Sequence, residues 1–114
     1  MTAVPIMKLK GLVANGFDGE IEGVCRIVFV KDISSFKEGE ILVTDSTSPH
    51  FLSVMTKAKA IITEMGGLLS HSAIASRELN KPCIIRVAKA TEILKNGMKV
   101  TIKNDGSVII DEKS

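Results

Sequence analysis

A chain of 114 residues fits one domain, since globular domains most often run about 100–150 residues. It is 45% hydrophobic and 25% charged, the balance of an ordinary soluble protein, which sets aside disordered and fibrous classes. A formal net charge of +2 and four aromatics, all Phe, provide neither the cationic field nor the stacking surface expected of a partner for nucleic acid or an anionic membrane.

In chain order, Leu9 to Ala14 and Ile21 to Val30 read as two β-branched strands, joined by the turn-rich Asn15-Gly16-Phe17-Asp18-Gly19. Lys37-Glu38-Gly39-Glu40 is a polar turn entering a buried strand, Ile41 to Thr44. Ser48 then places a capping hydroxyl before Pro49, and the spacing of Phe51, Leu52, Val54 and Met55 predicts a helix from His50 to Lys59. Ala60 to Thr63 is a short strand ending near Gly66-Gly67, and a second helix runs from about Ser70 to Leu79, stopped by Pro82. Cys83 to Val87 is strand-like, and Thr91 to Lys95 makes a helical turn that Gly97 breaks. Lys99 to Lys103 and Ser107 to Ile110 alternate around Asn104-Asp105-Gly106, a hairpin signal. The expectation is one α/β domain over residues 1–114, with about seven short strands, two main helices and a frayed tail from Asp111 to Ser114.

Cys25 and Cys83 lie in separate apolar runs and read as buried, reduced thiols of a cytosolic protein. Together with His50 and His71 they include the residue types of a zinc site, but no C-x-x-C or H-x-x-x-H pair supports one. There is no apolar leader region and no uninterrupted apolar run of about 18 residues, so a cytoplasmic location is expected. The initial methionine and polar tail are those expected of an independent chain.

Chemistry concentrates between Thr63 and Glu78. A strand ends, Gly66 and Gly67 permit a close or left-handed backbone, and a helix starts at Ser70-His71. His71 is thereby placed in the first helical turn, beside unpaired amides and the positive end of the helix dipole. That setting favours a neutral imidazole with a lone pair for attack, and it stabilises a phosphoryl group once bound. The same pattern also fits a Ser70-capped helix whose first residue, His71, is merely exposed. His50 has no glycine loop beside it and reads as a surface residue.

The run Gly66-Gly67-Leu68-Leu69-Ser70-His71-Ser72-Ala73-Ile74-Ala75-Ser76-Arg77-Glu78-Leu79, followed by Pro82, closely resembles the phosphohistidine signature of the phosphoenolpyruvate-utilising enzymes. That pattern reads Thr-x-x-Gly-Gly-x-x-Ser/Cys-His-x-Ala-Ile-x-x-Arg-Glu-Leu-x-x-Pro. The likeness extends to Gly39 to Thr44, Lys57 to Thr63 and the closing strands from Gly97, about residues 10–110 in all. It implies the swivelling β/β/α domain of those enzymes, a mobile phosphoryl carrier whose acceptor nitrogen belongs to His71. By the same resemblance Gly66 and Gly67 let the loop approach phosphates, Ser70 caps the helix or orients the ring, and Thr63 is the motif threonine. Ser48 is implied as a partner of the His71 ring, and Arg77 either steers phosphate, anchors a partner or pairs with Glu78. Two positions depart from the pattern: Leu68 stands where many relatives carry Arg, and Arg86 where the family often has Gly.

The resemblance also implies partners: an ATP-binding domain or subunit, and a barrel that binds phosphoenolpyruvate or pyruvate. This chain shows no G-x-x-x-x-G-K-[S/T] run and no clustered carboxylates, so no cofactor or metal is expected on it, and ATP and Mg²⁺ are expected on the partners. The reaction served would be pyruvate–phosphoenolpyruvate interconversion, or phosphorylation of another small acceptor. Two other readings stand beside it: a non-catalytic regulatory or interaction module of the same fold, and a small metal- or ligand-binding β-rich domain.

Overall fold

The computed structural model describes residues 7–111; the predicted terminal fraying beyond Asp111 lies outside them. Eight strands form one sheet, β1 (Lys8–Lys10), β2 (Leu12–Asn15), β3 (Glu20–Ile27), β4 (Ile41–Thr44), β5 (Ala60–Thr63), β6 (Cys83–Ile85), β7 (Lys99–Lys103) and β8 (Ser107–Ile110). Three helices accompany them, α1 (Leu52–Lys57), α2 (His71–Leu79) and the single turn α3 (Ala90–Ile93), with 3-10 turns at Val30–Ser35 and Pro49–Phe51.

The spatial order is β1-β8-β7-β3-β4-β5-β6-β2. β3, β4, β5 and β6 are mutually parallel, whereas β1, β8 and β7 run antiparallel up to β3, and β2 runs antiparallel to β6. The outermost strands β1 and β2 are consecutive in the chain with Gly11 alone between them, so the sheet curls almost into a barrel. The closure is tight: the Gly11 amide donates to the Gly106 carbonyl at 2.9 Å.

β4, β5 and β6 are largely apolar and buried along their whole length, as a sheet covered on both sides requires. Alternation splits them between two cores: Leu42, Ile61, Cys83 and Ile85 pack beneath α1 and α2 with Phe51, Met55 and Ala73. Ile41, Val43, Ile62 and Ile84 face the other way, onto Val100, Ile102, Val108, Ala90 and Leu94. α2 buries Ser72, Ala73, Ala75 and Ser76, small residues that let its backbone lie close to β2 and β6.

The α/β expectation holds, with eight strands where about seven were expected. The predicted strand from Leu9 to Ala14 breaks at Gly11, because a Cβ there would lie 2.5 Å from the Ile85 carbonyl oxygen and the chain must turn the corner. The predicted strand from Ile21 to Val30 stops at Ile27, where the chain leaves the ladder for the 3-10 turn. β2 and β3 are not neighbours, despite their short connection. The predicted helix from His50 to Lys59 divides into the 3-10 turn at Pro49–Phe51 and α1, ending two residues early at Lys57. β6 ends at Ile85 rather than Val87 because Arg86 turns left-handed, with φ +59°. α3 covers Ala90–Ile93 rather than Thr91 to Lys95. The hairpin of β7 and β8 matches its predicted limits.

Candidate functional site

Ligand sites of parallel sheets gather outside the carboxyl ends of the strands. Here three loops leave those ends side by side, after β4, β5 and β6, and are tied together. The amides of Glu64 and Met65 donate to the carbonyls of Thr44 (3.2 Å) and Asp45 (3.0 Å), and the Val87 amide donates to Thr63 (2.9 Å). The Glu64 carboxylate accepts from the Thr91 amide at 2.7 Å and the Thr91 hydroxyl at 2.5 Å, bolting the glycine loop to the start of α3.

The loop turns at Gly66, whose φ of +113° suits glycine alone, and a Cβ there would stand 2.9 Å from the Ser70 hydroxyl oxygen. Gly67 has neither constraint: its missing Cβ would point into open space. The Ser70 hydroxyl donates to the Gly67 carbonyl at 2.8 Å and accepts from the Ala73 amide at 3.4 Å, which makes Ser70 the N-cap of α2. His71 is the first residue of that helix, and its half-buried ring lies where first-turn amides lack acceptors inside the helix. Its Nδ1 is 2.8 Å from the Thr47 hydroxyl, and the same hydroxyl is 2.7 Å from the hydroxyl of Ser72. With Nδ1 occupied, Nε2 is the ring nitrogen left to meet another molecule.

Thr47, not Ser48, is the hydroxyl on the ring; the expectation for Ser48 is off by one residue. Ser48 instead holds the N-cap position of the 3-10 turn at Pro49–Phe51, and its side chain makes no capping bond. The loop from Thr44 to Ser48 carries four hydroxyl residues, and the backbone direction after β4 decides which one reaches His71. Thr63 is buried at the end of β5, and its hydroxyl donates to the Met65 carbonyl at 2.8 Å, bracing the loop from inside. Arg77 makes no ion pair with Glu78 among the described residues; its Nε donates to the Ala14 carbonyl at 3.1 Å, tying α2 to β2. Asn15 reinforces that tie, its side-chain amide donating to the Lys81 carbonyl at 2.8 Å. His50 is exposed in its 3-10 turn.

Leu68 and Leu69 project from the loop with 49% and 84% exposure, and Met65 and Ile74 are exposed beside them, so the loop and first turn around His71 carry exposed apolar side chains. Arg86 occupies a left-handed backbone, the conformation for which glycine is the ordinary choice. Burial pushes the Cys25 thiol up to about 12 and the Cys83 thiol to about 11, and the two lie in different cores. No three His, Cys, Asp or Glu side chains converge as metal ligands among the described residues. No helix among them is long and apolar enough to cross a membrane.

Comparison with known proteins bears on the same region. Residues 36–107, which include Thr47, the glycine loop and α2, match the family described as "PEP-utilising enzyme, mobile domain". The chain is 42% identical over 92 residues to the probable phosphoenolpyruvate synthase of Staphylothermus marinus, covering 78% of this chain and 11% of that protein. It is 47% identical over 81 residues to the phosphoenolpyruvate synthase of Aquifex aeolicus, covering 70% of this chain and 10% of that protein. It therefore spans about a tenth of the length of these relatives. A solution structure of Enzyme I superposes with a TM-score of 0.58 and 28% identity, covering 72% of this chain and 35% of that one. The crystal structure of aconitase X from Thermococcus kodakaraensis has a TM-score of 0.65 at 23% identity, covering 93% of this chain and 99% of that one, a likeness of fold alone.

Proposed function

This chain belongs to the mobile-domain family of the PEP-utilising enzymes, and on that premise we propose that it carries a phosphoryl group on Nε2 of His71. The observation that supports this most directly is the ring's placement: His71 opens α2, its Nδ1 faces the Thr47 hydroxyl at 2.8 Å, and Nε2 is left over. In the forward step the Nε2 lone pair forms a bond to phosphorus, and the bond from phosphorus to the donor oxygen breaks. The electron pair leaves with that oxygen. Phosphoryl transfer asks chiefly for positioning and charge stabilisation. The N-terminus of the nine-residue α2 supplies the second, through open amides and the dipole.

The group would come from one partner and pass to another. An ATP-binding domain or subunit holding ATP and Mg²⁺, and a barrel that binds phosphoenolpyruvate or pyruvate, are the partners we propose, with the chain itself binding no cofactor and working in the cytoplasm. Relatives about ten times longer than the matched segment support partner domains. The exposed Leu68 and Leu69 beside His71 support a docking surface that excludes water from the phosphoramidate during transfer.

The test is labelling. Incubation with an ATP-binding partner and labelled ATP, or with a phosphoenolpyruvate-binding partner and labelled phosphoenolpyruvate, gives an acid-labile, base-stable label. His71→Ala abolishes it and His50→Ala keeps it. Label that survives His71→Ala overturns the proposal, and a chain that no such partner labels is the inert module of the same fold.

A further inference from the structure

We propose that Glu64 is a positioning residue: by gripping Thr91 it fixes the glycine loop from which His71 is presented. This rests on the reading of His71 as the phosphoryl acceptor and names the residue that steadies the loop leading to its ring.

Glu64 is half-buried and follows directly on β5. Its amide donates to the Thr44 carbonyl at the end of β4 (3.2 Å), and the next amide, that of Met65, donates to Asp45 (3.0 Å). Its carboxylate reaches α3, where a single oxygen, Oε2, accepts from the Thr91 amide at 2.7 Å and the Thr91 hydroxyl at 2.5 Å. The segments that follow β4, β5 and β6 therefore meet at this one residue.

The loop beyond Glu64 has two anchored halves. The near half is held by these bonds and by the Thr63 hydroxyl, which donates to the Met65 carbonyl at 2.8 Å. The far half belongs to α2: the Gly67 carbonyl accepts from the Ser70 amide at 3.1 Å and the Ser70 hydroxyl at 2.8 Å, and Ser70 leads straight into His71. Between the halves stands Gly66, a joint with no side chain to stiffen it. The course of the far half is thus inherited from where the near half is held, and Glu64 is the side chain that ties the near half to α3.

Two features mark this tie as more than a cap. The single turn α3 has Lys89 at its N-cap position, left-handed and without a side-chain capping bond, so Glu64 caps it from outside. A cap supplied by the glycine loop fixes helix and loop together. Both donors also converge on one oxygen, so the site asks for an acceptor on a stem of this length. The amide oxygen of a glutamine meets that demand and an alanine does not.

The measurement is backbone ¹⁵N relaxation on the isolated chain, which needs no partner. In Glu64→Ala the order parameters of Gly66, Gly67, Leu68 and Leu69 fall from near about 0.85 to below about 0.6, while those of β7 and β8 keep their values. Glu64→Gln keeps the loop ordered, and Thr91→Val, which loses the hydroxyl but not the amide, loosens the same four amides to a smaller extent. With the partner saturating, the initial rate of His71 labelling falls about tenfold in Glu64→Ala, the scale of a lost hydrogen bond to a charged group, and returns in Glu64→Gln. A Glu64→Ala loop as ordered as wild type overturns the proposal, as does a loosened loop that is labelled at the wild-type rate or that glutamine fails to restore. If the loop behaves as expected but wild-type His71 never takes label, the carrier reading fails and the hold of Glu64 on the loop stands.

Discussion

Gly66 and Gly67 look equivalent as letters, yet only one of them is required by the backbone. At Gly66 an alanine meets two penalties at once: a φ of +113° that a side chain resists, and a Cβ 2.9 Å from the oxygen with which Ser70 caps α2. The first costs about 1–2 kcal/mol and loss of the cap about as much again. Because Ser70 immediately precedes His71, a displaced cap also disturbs the His71 ring. At Gly67 nothing lies within 4 Å of the added carbon. Urea unfolding should therefore show Gly66→Ala destabilised by at least about 2 kcal/mol and Gly67→Ala within about 0.5 kcal/mol of wild type. Equal losses at the two positions would mean that the loop is not held as described. The same residue scale shows what sequence leaves open. The motif points to His71, its cap and its glycines, because those residues are adjacent along one loop and one helix. Thr47 is found only when β4 and β5 are set side by side, which brings a hydroxyl 24 positions earlier onto the imidazole.

Among the elements, legibility follows how local the cause is. The β7–β8 hairpin is readable because Asn104-Asp105-Gly106 dictates its own turn, and the end of α2 because Pro82 stops it, with Asn80 as the left-handed cap in the structure. The run from Val28 to Val30 is apolar and strand-like, but Val30 begins a 3-10 turn that no local pattern announces, on the way to the entry into β4. That entry is fixed by charge. The Glu40 carboxylate accepts from Arg26 of β3 at 2.9–3.2 Å and from the Lys37 amide at 2.7 Å, closing the turn and joining it to the sheet. Burial alone would raise the Glu40 pKa, but the hydrogen bonds from Arg26 and Lys37 outweigh it and hold the group below its ordinary value. A depressed carboxylate contributes stability that is present above the unfolded pKa, about 4.3, and lost as pH falls through the lower folded value. Glu40→Gln should therefore unfold more easily than wild type at pH 7, by up to about 1 kcal/mol. The gap should close in melts recorded below about pH 4, as the wild-type carboxylate takes up its proton. A gap that widens on acidification would contradict the assignment.

At the scale of the whole molecule the question is what makes a small domain rigid enough to hold the His71 ring in one place. The strands that frame His71 lie in the parallel half of the sheet, and that half is completed by β2, which reaches its place beside β6 only because the chain turns at Gly11. The corner leaves no room for a side chain. A Cβ on Gly11 would stand 2.5 Å from both the Ile85 carbonyl oxygen and a Val87 methyl, and one on Gly106 would collide with the Gly11 carbonyl. Since one obstacle in each case is backbone, a rotamer change cannot relieve the contact, and the seam itself has to open. Gly11→Ala should cost about 3 kcal/mol or more, the upper end of overpacking penalties. Gly106→Ala should cost a similar amount, with the added burden of a φ of +93°. Because both substitutions force open the same seam, the double variant should lose clearly less than the sum of the two. Hydrogen exchange checks the coupling: amides of β1, β2 and β8 and those of α2, which Arg77 and Asn15 tie to β2, should lose protection together. Additive losses, or α2 opening before β1, would show that the barrel and the site are separate units. A single unit is what the proposed carrier role requires, because the ring could then be delivered by moving the whole body without remaking its hydroxyl partner at each end of the journey.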